Sequence, residues 1–171
     1  MKKTSKKAKL FAYEFAGGAA MAYLLQVKIK GTSIKKEDKI EGFYEWEDLF
    51  NGKFYPMKVM FEDLMKLEKS AMVALAGPIT ESLVKNGKVT WTGEEDGYDY
   101  AMEVLSWVGP PDESTEKLFE LYSKRCELIL SCPDVWHAVE ALAAHILQKR
   151  RLSGEEIERF LYQAFKKPTG E

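Results

Sequence analysis

The sequence predicts a mainly α, single helical domain with a small β-hairpin or short sheet, and three observations carry that expectation. Apolar residues recur at helical spacing through most of the chain, only two short stretches are β-prone, and no internal repeat or long linker divides it. At 171 residues, 46% of them hydrophobic, the chain can bury a substantial core as one domain.

Taken in order, five Lys fall within the first nine residues and precede an apolar run from Leu10 to Leu25. The pairing superficially resembles a secretory signal, but Glu14 and Gly17-Gly18 interrupt the run. Its 16 residues also fall short of the roughly 20 that a membrane helix needs. A solvated basic lead-in over 1–9 and a buried helix are expected, with no membrane association. Gln26–Ile29 and Lys39–Trp46 are partly alternating, are separated by Gly31-Thr32-Ser33 and a charged turn, and suggest a small hairpin or edge sheet.

From Phe61 to Val84, Leu64, Leu67, Ala71, Leu75 and Ile79 recur at helical spacing, although Gly77-Pro78 should bend or restart the helix. A polar gap from Lys85 to Gly97 leads to a helix over Tyr98–Trp107, closed by Gly109-Pro110-Pro111. Glu113–Leu130 and Val135–Gln148 read as two more helices around Cys132-Pro133. Ser153-Gly154-Glu155-Glu156 is a capping box that opens a last one. The domain therefore runs over 10–165, with a frayed tail over 166–171.

Charge and cysteine content remove several classes of function. Lys plus Arg (25) nearly balance Asp plus Glu (27), so nothing global favours nucleic acid. The aromatics Phe43, Tyr44, Trp46, Phe50, Phe54 and Tyr55 alternate with Glu45, Glu47 and Asp48, which would repel a phosphate backbone. They suit core packing or a protein-binding surface instead. Cys126 and Cys132 lack C-x-x-C spacing, so buried free thiols and a cytoplasmic, reducing setting are expected. His137 and His145 lie eight residues apart, about 12 Å along a helix, too far to chelate one ion. Structural histidines are expected. Glu94-Glu95-Asp96 with Asp99 lacks the ligand ladder of a calcium loop and reads as a solvated acidic turn. Neither G-x-x-x-x-G-K-[ST] nor G-x-S-x-G occurs.

The stretch Ala12-Tyr13-Glu14-Phe15-Ala16-Gly17-Gly18-Ala19 bears most directly on function. A zinc protease helix of the A-Y-H-E-A-G-H-A type needs two His at i and i+4 to pinch one metal ion. A Glu beside the first His then takes a proton from the metal-bound water. Glu14, Phe15 and Gly18 occupy those three positions here. Phe15 accepts no proton and Gly18 has no side chain, so base and second ligand are both missing. A plain structural account is an apolar helix whose Gly pair admits a close neighbour, despite about 1 kcal/mol of helix propensity lost per Gly.

The order of the later segments extends the likeness. Val27-Lys28-Ile29, Leu75-Ala76-Gly77-Pro78-Ile79-Thr80-Glu81-Ser82-Leu83, the stretch 93–105, Leu142 through Leu147, and Leu152-Ser153-Gly154-Glu155-Glu156-Ile157 follow in turn. In that order the chain, from about residue 10 to 162, resembles the peptidase domain of FtsH-type ATP-dependent zinc metalloproteases and similar stand-alone bacterial proteins. The resemblance implies an FtsH-peptidase-like fold and a bacterial or phage source. It also implies an Asp as third zinc ligand, which falls at Gly97 here, with Asp96 and Asp99 on either side. Tyr13 and Glu81 keep their family types, Glu81 as a structural contact.

A degenerate, catalytically inactive metallopeptidase-like domain is thus expected, with Glu14, Phe15, Gly18 and Glu81 as vestiges. It holds no catalytic residue, metal or cofactor and acts through a protein partner or as a homo-oligomer. Two alternatives stand beside it. One is a metal-dependent hydrolase with a site relocated to Glu14 with Asp96 or Asp99; the other is an unrelated helical adaptor protein.

Overall fold

The computed structural model describes residues 5–34, 42–46, 49, 61–108 and 113–166, with backbone alone for 42–46, Phe61, Asp96 and Glu113. The expected aromatic side chains of 43–55, the lead-in 1–4 and the tail 167–171 lie outside the described residues. Six helices dominate: α1 (Lys6–Leu24), α2 (Phe61–Asn86), α3 (Asp96–Ser106), α4 (Glu113–Leu130), α5 (Pro133–Lys149) and α6 (Gly154–Lys166). A small antiparallel sheet joins them, ordered β2 (Gly42–Trp46), β1 (Ile29–Ile34), β3 (Arg151–Ser153).

α1 starts within the expected basic lead-in because the Ser5 hydroxyl caps it, accepting from the Ala8 N–H at 3.1 Å. From Phe15 to Ala22 every residue is buried, since Ala and Gly let neighbours close in on all sides. Its end is a Schellman turn. Val27 donates to the Ala22 carbonyl at 2.8 Å and Gln26 to the Tyr23 carbonyl at 3.1 Å, with Gln26 left-handed at φ 58°. That turn consumes Gln26 and Val27, so β1 begins at Ile29 rather than at Gln26.

β1 pairs on one edge with β2 and on the other with β3, through Gly31–Ser153, Thr32–Leu152 and Ser33–Arg151. The three-residue β3 was unexpected; it is too short to show alternation and exists because β1 offers it a free edge. The capping box at the head of α6 forms as expected. Ser153 N–H donates to Glu156 Oε2 at 2.8 Å, and Glu156 N–H donates to Ser153 Oγ at 3.3 Å.

α2 is central, packing on α1, α3 and α4. Of the bend or restart expected at Gly77-Pro78, the restart does not occur: one helix runs from Phe61 to Asn86 through Pro78. Proline removes the N–H that would bond the carbonyl four residues back, here that of Ala74. Gly97, at the start of α3, packs on that carbonyl so closely that a Cβ on Gly97 would come within 2.2 Å of its oxygen. The core gathers Phe15 and Ala16 of α1, Leu75 and Ile79 of α2, Leu142 and Ile146 of α5, and Ile157 and Leu161 of α6.

Candidate functional site

α1 and α2 cross where Gly17 meets Thr80. A Cβ on Gly17 would lie 1.9 Å from Thr80 Oγ1 and 3.0 Å from the Ala76 carbonyl oxygen, which already accepts from Thr80 Oγ1 at 2.7 Å. This contact gives Gly17 the close-approach role expected of the pair; Gly18 is buried beside it. Next to the crossing opens a cleft of about 850 Å³, counted with its mouth, lined by Glu14, Glu81, Lys85, Asn86, Thr92, Glu94 and Glu95 among others.

The far wall of the cleft is the 87–95 loop, which is tied down at three points. Ser82 Oγ accepts from the Thr90 N–H at 2.9 Å and reaches the Lys88 carbonyl at 3.0 Å, while Asn86 Nδ2 donates to Thr90 Oγ1 at 3.0 Å. Trp91 Nε1 donates to Ser123 Oγ of α4 at 2.9 Å, and its ring sits edge-on to Phe119 at 5.1 Å. Glu95 accepts from Thr92 N–H, Thr92 Oγ1 and Gly93 N–H at 2.9, 2.9 and 3.0 Å. Its partial burial pushes its carboxyl up, but these hydrogen bonds outweigh that and hold it below the ordinary carboxylate value.

Of the expected vestiges, Glu14 and Glu81 share this cleft, one from each helix. Phe15 is 1% exposed and belongs to the core, so it neither plugs the cleft nor offers chemistry to it. Gly97 is buried against Ala74, where no ligand-bearing side chain fits. Asp99 is exposed and not part of the cleft lining, and the Asp96 side chain lies outside the described residues. The loop's acids in the cleft are instead Glu94, exposed as expected of a solvated acidic turn, and Glu95, half-buried. A signal for them existed in Thr92-Gly93-Glu94-Glu95, a Thr-x-x-Glu pattern of the kind that folds back on itself ahead of a helix.

Tyr13 faces α5, its ring 6.3 Å from that of Trp136; burial and then the nearby Glu140 charge raise its hydroxyl pKa. His145 stacks on Phe160 at 4.8 Å, a structural role as expected, and His137 is exposed. Cys126 is buried and donates to the Met72 carbonyl, with burial pushing its thiol up to about 12. Cys132 is exposed, contrary to expectation, because it immediately precedes α5 at the turn out of α4. Among the described residues, no group of three or more His, Cys, Asp or Glu is placed to hold a metal ion. No described helix is long and apolar enough to cross a membrane.

Compared with known proteins, the chain matches no protein-family model and no curated protein. The cleft can therefore be interpreted only through its own residues. It offers carboxylates and one ammonium, while its Ser82 hydroxyl is absorbed in holding the loop.

Proposed function

We propose that this chain is a metallopeptidase-like domain of FtsH-peptidase type that has lost catalysis and works by binding, to another protein or to itself. The observation that carries the reading is the convergence of Glu14 and Glu81 on one cleft, walled by the segment that leads into α3. Those two positions belong to separate motifs of the resemblance, more than sixty residues apart in sequence, and their meeting across the α1–α2 crossing supports this reading over an unrelated helical adaptor. The residues standing for the base and second ligand, Phe15 and Gly18, are built into the core. With carboxylates but neither His nor Cys among its lining residues, the cleft is a poor zinc site.

Metal content of the protein, purified without chelator or His tag, tests this directly. Below about a tenth of an equivalent of zinc or other transition metal is expected. Near one equivalent, together with a hydrolytic activity abolished by Glu14→Ala, would establish the relocated-site hydrolase instead.

A further inference from the structure

No acidic residue precedes Glu14, and five Lys fall within residues 1–9. Residues 10–171 keep 20 of the 25 cations against all 27 acids, a balance of −7 for the rest of the chain. Positive charge is thus gathered at one end of the sequence, and the fold sets that end on the surface. Lys6, Lys7 and Lys9 occupy the first turn of α1 and are exposed, with no acidic residue among them. Among the described residues, none of these three ammonium groups pairs with a carboxylate, whereas Lys66 pairs with Asp63 at 3.9 Å and Lys124 with Glu127 at 2.6 Å. Cations at a helix N-terminus oppose its dipole, so the stability of α1 does not account for them.

α1 projects past its neighbour at this end. Tyr13 meets Trp136 of α5, and both helices then lead to the paired strands β1 and β3, so they run side by side in the same direction. α5 begins three residues before that contact and α1 seven before it, which carries the first turn of α1 about 6 Å beyond the start of α5. The two acids of α5, Asp134 and Glu140, stand two residues before Trp136 and four after it, closer to the body of the molecule than the lysines, and Glu14 lines the cleft. Leu10 follows Lys6 and Lys7 by four and three residues, the spacing of helical neighbours. It is half-buried and, unlike Phe11, not packed against the core. Tyr13, one turn further along, is also half-buried, with Lys9 Nζ 5.8 Å above its ring.

We infer that this end of the molecule rests on an anionic phospholipid surface. The lysine ammonium groups meet headgroup phosphates and carboxylates, while Leu10, with Tyr13 and Trp136 behind it, supplies the apolar and amphipathic contact that a bilayer interface accepts. A nucleic acid fits worse. Its phosphate backbone attracts the same lysines but offers Leu10 nothing, and the first 13 residues hold no Arg, Asn or Gln to read a base edge. The acidic remainder of the chain is largely screened where it stands more than about 8 Å from the headgroups at physiological salt. A surface contact needs no spanning helix, so the shortness of the Leu10–Leu25 run does not bear on it, and the expectation of no membrane association is revised to that extent. The contact is independent of the cleft and its vestigial reading, which metal content tests separately.

The test is co-sedimentation of the full chain with vesicles of phosphatidylcholine, alone or with roughly 30% phosphatidylserine. Binding is expected only to the anionic vesicles, and should fall steeply between about 0.1 M and about 0.5 M salt. Lys6→Gln with Lys7→Gln should weaken it at least about tenfold, while Lys6→Arg with Lys7→Arg retains it. Leu10→Ser, which leaves the charge unchanged, should weaken it severalfold. Lys6 and Lys7 are exposed, so circular dichroism and thermal midpoint of the Gln variant should stay at wild-type values. No preference for anionic vesicles, or binding indifferent to the lysines or to Leu10, overturns the proposal. Lysine-dependent retention of duplex DNA, or lysine-dependent self-association, without vesicle binding overturns it in favour of a nucleic acid or a second copy.

Discussion

Gln26 occupies a left-handed position that glycine would hold without strain, and its side chain is exposed. Gln26→Gly should therefore raise stability by about 0.5–1 kcal/mol, measured as a higher thermal midpoint. Gly97 is the opposite case. Its neighbour is a backbone carbonyl on a buried helix, which cannot yield as a flexible side chain would. Gly97→Ala should lower stability by about 1–3 kcal/mol in denaturant titration, while Gly93→Ala, with open space around its Cβ, should be limited to its φ strain at +80°. Neither glycine's role was visible in the sequence. The Pro78 pattern announced a missing hydrogen-bond donor, but the residue that would cover the freed carbonyl is set by tertiary approach. By contrast, that Phe15 and Gly18 offer neither a base nor a metal ligand was fully legible, because no fold restores a carboxylate or an imidazole to those side chains.

Among the elements, α4 kept its expected ends and α5 extended only two residues before Val135 and one beyond Gln148, since Pro133 and the surrounding amphipathic spacing are local signals. The capping box before α6 was legible for the same reason. Ser153→Ala should cost about 1 kcal/mol, seen as a lower midpoint in thermal unfolding, with Glu156→Gln a milder loss. α2 continues through Pro78 rather than restarting because it is held between α1, α3 and α4. The β elements were the least legible. β1 was displaced by the capping turn of α1, and β3 is defined by pairing with a strand some 120 residues earlier, which no local pattern announces.

For the molecule as a whole, acid should act on carboxyls that the fold holds ionised. Glu95 is held below its ordinary value by the Thr92 and Gly93 hydrogen bonds against partial burial, and Glu156 by Ser153. The folded chain thus binds these protons less readily than the unfolded chain. Their contribution to stability is complete above the ordinary carboxyl value of 4.5 and is lost as pH falls through the lower folded values. Midpoints measured from pH 6 to pH 3 should decline less steeply in a Glu95→Gln, Glu156→Gln double variant. The tie between β1 and the 151–154 segment has its own consequence for how the chain comes to be made. Gly154 lies so close to Ile29 that a Cβ would fall on the Ile29 carbonyl, and Ile34 N–H reaches the Arg150 carbonyl at 2.7 Å. One edge of β1 thus waits for a segment synthesised some 120 residues later, exposed meanwhile to any other extended chain. A chain stalled or terminated between the two segments, with that edge of β1 unpaired, is the form most prone to aggregate.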